Sequence, residues 1–262
     1  MKAVHFMRHK NILYYFDLFF VLTKKEFVVQ YKASIIGYLW SVLSPLAQGL
    51  VFFLAFGIFM RFSQENYLLF LLSALYPWQW VSNSMGHAPK IFLAAPSLVK
   101  KVYFPRFFIP LTNCFQHMLH CLLALPAYMF FLLLYGIMPT PKLLIYVPLL
   151  ILVSYAIIAP LGLALACLNV YVRDLENIMP LILQLLFFLT PIVYPLDVVP
   201  ERIRFLLYCN PFFPVIAAWR SVLLNQAMPW DLFGASCMVA LAACVIGAYI
   251  YKKLSWKLAE LL

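Results

Sequence analysis

The sequence predicts an all-α integral membrane protein: six transmembrane helices, an N-terminal amphipathic interface helix, and both termini in the cytoplasm. Three observations carry that expectation. First, 66% of the 262 residues are hydrophobic and only 11% charged, with a mean hydropathy of +0.93. A soluble domain is about half apolar and about a quarter charged. An ordinary soluble enzyme, a disordered tail and a disulfide-stapled module are thereby excluded. Second, six apolar stretches of about 20 residues use up the chain, and each can cross ~30 Å of hydrocarbon. Third, the basic residues are segregated. Arg61, Lys142, Arg202, Arg204 and Arg220 fall on one side of the expected membrane, and the other fourteen of the nineteen fall on the opposite side. That positive-inside asymmetry requires an even number of crossings. It also accounts for the net charge of +10, so no nucleic-acid partner is expected.

The elements follow in order. Residues 11–33 form a helix on which Phe16, Phe20, Phe27 and Tyr31 share a face and Asp17, Lys24 and Lys25 lie away from it. The apolar run Ile12–Leu22 is too short to cross at 1.5 Å per residue, so this helix lies in the membrane interface. It is no cleaved signal peptide, because Thr23-Lys24-Lys25-Glu26 follows where small residues would be needed. The six spans are expected at 38–60 (with Pro45 early in it), 67–86, 107–135, 143–172, 178–194 and 232–251. A basic loop around Pro96–Arg106 separates the second from the third. Residues 196–229 are apolar but broken by Pro200, Pro211, Pro214 and charges. Runs of that length read as re-entrant or interfacial helices. The whole chain, 1–262, makes one transmembrane domain. Of six cysteines, only Cys209 lies outside the apolar stretches, and the other five pack as small hydrophobes.

What is missing limits the function. No Asp, Glu, Lys or Arg lies in the six windows, whereas an ion-coupled transporter commonly needs an intramembrane carboxylate. No glycine is followed by lysine, so there is no phosphate-binding loop of the Walker type. Energy for uphill transport must come from another polypeptide. Cys114, His117 and Cys121, with His120 beside them, share the third span and have spacings open to a soft-metal site. Helix packing is the expected role, as it is for Ser41 and Ser44. No catalytic residue and no resident metal or cofactor is expected. Aromatic residues make up 18% of the chain. Phe in spans either faces lipid or lines a conduit whose ring faces stack on sugars, and composition does not choose. Phe52, Phe56, Phe187 and Tyr194 are the candidates to line such a conduit.

Five segments, read together, resemble one family. They are Tyr31-Lys32-Ala33-Ser34-Ile35-Ile36-Gly37-Tyr38-Leu39-Trp40, Leu98-Val99-Lys100-Lys101-Val102-Tyr103-Phe104-Pro105-Arg106, Val172-Arg173-Asp174-Leu175, Thr190-Pro191-Ile192-Val193-Tyr194-Pro195 and Asn210-Pro211. In this order, over about 180 residues, they are similar to the membrane subunits of ABC exporters for bacterial surface polysaccharides. These are the Wzm-like O-antigen permeases, with relatives for capsule and teichoic acid. The resemblance implies a periplasmic re-entrant hairpin after the fifth span and a homodimer whose interface forms the channel. It implies two copies of a cytoplasmic ATPase, which bind the ATP, and a glycan substrate on an undecaprenyl-diphosphate carrier. Lys32, Arg106 and Arg173 are then expected at the cytoplasmic rim, offering charge-assisted hydrogen bonds to the diphosphate. Positive-inside topology alone also explains them. Gly37 is expected to turn the backbone between interface helix and span. The segment Ala88–Lys101, with Lys90, Lys100 and Lys101, is expected to press on the ATPase. Arg220 either meets a lipid phosphate or ties down the hairpin. A drug or lipid permease of the same architecture is the nearest alternative, and a membrane enzyme or metal protein using His117 and His120 a more distant one.

Overall fold

Away from water, a chain satisfies its backbone within each segment by forming helices. The computed structural model describes residues 12–31, 34, 36–60, 64–94, 96 and 104–258, and among these every regular element is helical. Helix α1 is Ile12–Tyr31, α2 Trp40–Phe52, α3 Tyr67–His87, α4 Ile91–Ala94 and α5 Phe108–Leu134. There follow α6 Leu143–Tyr171, α7 Leu175–Leu189, α8 Phe205–Tyr208, α9 Phe213–Leu223 and α10 Trp230–Leu254. A 3-10 turn, Gly37–Leu39, leads into α2, and a π-helical stretch, Phe53–Phe59, prolongs it.

Four helical rods are long and apolar enough to cross a bilayer: Gly37–Phe59, α5, α6 and α10. Helix α3 has 21 residues, a rise of about 30 Å, but carries Ser73, Gln79, Ser82, Asn83 and Ser84. It tolerates them because protein surrounds it, with sixteen of its residues buried. Helix α7 is shorter than expected. It starts at Leu175 and stops at Leu189, not at 194, because Pro191 disfavours a helical Thr190. Thr190 is extended (ψ 132°), and the Leu186 carbonyl accepts bonds from both its N–H (2.9 Å) and its hydroxyl (2.7 Å). Farther on, Glu201–Tyr208 and Phe213–Leu223 meet at 105°.

Two glycines supply left-handed backbone where a helix begins or ends. Gly37 (φ +57°) starts the turn into α2, and its N–H is taken by the Ser34 hydroxyl at 3.0 Å. Gly136 (φ +73°) closes α5; its N–H bonds Leu133 O, and that of Ile137 bonds Leu132 O.

Helix α3 forms the axis of the bundle, in contact with α2, α5, α6, α7 and α9. Helices α6 and α10 approach each other closely at Gly247. A Cβ on Gly247 would lie 2.6 Å from the Pro160 carbonyl oxygen, so only glycine lets these helices meet. Helix α1 lies on α5. Tyr15 stacks on Phe108, Phe19 meets Phe115 edge-on and Phe27 stacks on His120 of α5, while Leu22 is buried. Of the aromatic face expected on this helix, Phe27 packs on the bundle, and Phe16 and Phe20 are about 60% exposed.

Candidate functional site

On one side of α3 the bundle leaves a cleft of about 570 Å³ between α2, α3 and α7. Ring faces line it. Phe187 of α7 stacks on Phe52 of α2 (centroids 5.5 Å, 20° between planes) and meets Trp78 of α3 edge-on at 5.7 Å. Phe188 joins them, 5.2 Å from Phe187. Between the rings stand uncharged polar groups: Gln48, Ser82, Asn83 and Gln184, with His87 at one end. Among the described residues, no Asp, Glu, Lys or Arg borders the cleft. Aromatic faces and amides suit a neutral, hydroxyl-rich ligand, whose C–H surfaces pack on rings while its hydroxyls exchange bonds with amides.

The four expected conduit aromatics separate. Phe52 and Phe187 border the cleft. Phe56 stands behind Phe52, at 6.2 Å. Tyr194 lies beyond the end of α7, its hydroxyl donating to Phe188 O at 2.8 Å; it fastens a loop and does not line the cleft. Trp78, Gln48, Ser82 and Gln184 were not anticipated. Their only sequence signal is polarity within apolar stretches, and it does not say which helices will share them.

The basic residues gather at the end of the bundle where α6 and α10 finish. Arg106 donates to Ser255 O at 3.2 Å, Tyr171 to Leu254 O at 2.9 Å, and Asn169 to Pro89 O beside Lys90 at 2.9 Å. Lys90 and Arg173 are exposed there. Lys32, Lys100 and Lys101 lie outside the described residues.

At the opposite end, residues 190–195 are stitched to their neighbours. The Asn210 amide donates to Thr190 Oγ1 at 2.6 Å and to Leu186 O at 3.2 Å, while its Oδ1 accepts from the Phe212 N–H at 2.9 Å. Tyr67 donates to Val193 O at 2.8 Å. Arg220 donates to Ile192 O at 2.8 Å and to Tyr194 O at 3.5 Å, with its guanidinium 3.9 Å over the Phe70 ring. Of the two expected roles for Arg220, the fold uses it to tie this segment down. The Thr190–Pro195 and Asn210-Pro211 motifs thus interlock.

The soft-metal grouping does not assemble. His120 Nδ1 shares a hydrogen bond with Ser41 Oγ at 2.8 Å, and its ring stacks on Phe27 at 4.8 Å. Cys114 is packed towards Gly162 of α6. Among the described residues, no three His, Cys, Asp or Glu side chains are placed to hold an ion. The Ser41–His120 pair was invisible in the sequence, its members being 79 residues apart. Hydrolysis through it would also need a group to orient the imidazole and stabilise its charge, and no carboxylate lies within α2 or α5.

Known proteins bear on this arrangement. The family pattern of the ABC-2 type transporters matches residues 17–224. Two relatives from Klebsiella pneumoniae, each named O-antigen export system permease protein RfbA, are 33% and 34% identical over 252 residues, covering 96% of this chain and 97% of theirs. A protein of the same name from Myxococcus xanthus is 29% identical over 236 residues, 89% of each chain. A transporter's membrane component also fits a bundle of apolar rods around an uncharged cleft, and the chain accordingly belongs to the ABC-2 type transporter family.

Proposed function

We propose that this chain is the membrane subunit of an ABC exporter that moves an undecaprenyl-diphosphate-linked polysaccharide, O-antigen in the first instance, from cytoplasm to periplasm. The observation that carries the proposal is the cleft, where Phe52, Trp78, Phe187 and Phe188 alternate with amides and no ionised side chain intervenes. A glycan slides over such a wall, since no contact is strong enough to hold it. The names of the Klebsiella and Myxococcus relatives support the same substrate class.

On this reading the chain resides in the bacterial inner membrane and crosses it six times. Helices α3 and α7 are the crossings that flank the cleft, and the bent pair α8–α9 is a re-entrant hairpin on the periplasmic side. Two copies pair cleft to cleft to enclose the channel. The basic end faces the cytoplasm, where Lys32, Arg106 and Arg173 receive the diphosphate, next to the turn made by Gly37. Lys90, Lys100 and Lys101 receive the push of two ATPase subunits, which bind the ATP. The absence of a glycine–lysine phosphate loop in the sequence supports a separate motor.

The test is genetic and biochemical. Deleting the gene should leave lipid-linked glycan inside the cell and strip it from the surface. Purified alone, the chain should hydrolyse no ATP, and it should co-purify with an ATPase when the two are expressed together. A normal surface glycan in the deletion strain overturns the proposal.

A further inference from the structure

A second cavity opens between α2, α3 and α5, on the other side of the Gln48–Gln79 pair. We propose that it is a side subsite for one neutral sugar ring of the passing glycan, an inference that rests on the export reading above. Its volume is about 260 Å³, enough for roughly eight waters at ~30 Å³ each, or for a single pyranose ring and a little water. It adjoins the cleft: Asn83 borders both, and Gln79, on the wall of this cavity, donates to Gln48 of the cleft wall at 2.8 Å.

The wall has the chemistry of a sugar site. Trp40, 50% exposed, offers an indole face at the rim, and Ser44 and Asn83 are exposed beside it. The deep side holds His117, only 4% exposed, with neither ring nitrogen hydrogen-bonded among the described residues. The Tyr76 hydroxyl is likewise buried without a partner among them. Buried polar groups are rarely left so, and a ring bearing several hydroxyls both donates and accepts. Among the described residues, no Lys, Arg, Asp or Glu borders the cavity. That selects against a phosphate, which would need cationic partners, and against a metal cation.

Occupancy of this pocket by successive sugars would index the chain one residue at a time. The complex of permease and ATPase in nanodiscs is mixed in turn with methyl α-mannopyranoside, methyl β-galactopyranoside and, as an anion, methyl phosphate. Saturation transfer from protein to ligand is read by NMR. At least one glycoside should receive saturation and methyl phosphate none. Tyr76→Phe, which removes one oxygen, should weaken the glycoside about threefold or more. His117→Phe, which fills the cavity, should abolish the signal. Transfer to phosphate alone, or glycoside transfer unchanged in both variants, overturns the subsite. So does a silent glycoside panel in a complex that still exports lipid-linked glycan, and export itself then stands. Glycoside binding lost in both variants of a complex that exports nothing supports the pocket while sinking the export reading.

Discussion

Helices α3 and α7 face each other across the cleft and are built on opposite rules. Sixteen of the 21 residues of α3 are buried, the polar Ser73 and Ser84 among them. Only Met179, Leu183 and Phe187 of α7 are buried, while Leu181, Leu185 and Phe188 stand about 54–62% exposed. A helix wrapped in protein need not be apolar, because its neighbours, not lipid, meet its surface. A helix with little protein around it must be apolar wherever lipid or a second subunit touches it. The bundle therefore divides into a packed side, centred on α3, α6 and α9 with α10 seated on α6 through its small residues, which holds the fold, and a cleft side, α2 and α7, which borders the opening. Substitutions on the packed side should cost stability, and those on the cleft side should cost transport.

The largest effect belongs to the packed side. Gly247→Leu drives a side chain into the Pro160 backbone, 2.6 Å from where its Cβ must sit. Overpacking of this kind costs ~1–3 kcal/mol, occasionally more. The expected outcome is a thermal unfolding midpoint several degrees lower, or no monodisperse protein at all. Gly234→Leu, on the same helix α10 with nothing within 4 Å of its Cβ, should change the midpoint little. Equal damage from both would mean that the α6–α10 contact is not what holds this side together.

Next comes the end of the bundle that carries residues 190–195. Arg220→Met removes the bonds to Ile192 O and Tyr194 O and the cation over Phe70. A hydrogen bond to a charged group is worth ~1.5–3 kcal/mol, so a loss of about 2 kcal/mol is expected in thermal unfolding. Residues 190–195 should also become sensitive to added protease. Arg220→Lys keeps the charge but cannot reach two carbonyls as a fork, so it should recover only part of the loss. A full recovery would make Arg220 a lipid-phosphate ligand rather than a tie.

Sequence and fold part company for a physical reason. The all-helical class follows from composition, because apolarity of this degree leaves helices as the simplest way to satisfy the backbone. The apolar window 143–172 corresponds to Leu143–Tyr171, and 107–135 to Phe108–Leu134, since proline, glycine and charge mark the ends. The end of α7 is marked locally by Pro191, but residues 190–195 are apolar enough to carry the window 178–194 past it. What the sequence does not disclose is where that segment goes: Asn210, Tyr67 and Arg220 hold it from elsewhere in the chain. Which of the aromatic rings of α1 meet α5 is not legible in the sequence, because they stand on more than one of its faces. In the cleft, Phe52 and Phe187 were legible from their place in apolar runs. Gln48, Trp78 and Gln184 were not, because a polar residue within a span does not disclose which helix it will face.

A smaller effect tests the boundary between the two sides. Gln48 of α2 and Gln79 of α3 are joined at 2.8 Å and partly buried. Gln48→Leu or Gln79→Leu alone strands an amide and should cost about 1 kcal/mol. Making both changes removes the stranded group, so the double variant should be more stable than the sum of the singles requires. Strict additivity would show that the two amides are solvated separately and that α2 is not fastened to α3 through them.

The smallest change in stability should come with a clear change in function. Phe188 is 54% exposed beside the cleft, so truncating it exposes little that was buried. Phe188→Ala should shift stability by less than ~0.5 kcal/mol. On the proposed function, a ring that stacks on the glycan contributes ~0.5–1.5 kcal/mol, so export of lipid-linked glycan, timed by the appearance of surface polymer, should slow about threefold. Phe130 of α5 is 58% exposed but borders no part of the cleft, and Phe130→Ala should leave both quantities alone. If the two alanines slow export equally, exposed rings act through lipid, and the division into a holding side and a passing side fails at the residue where it makes its sharpest claim.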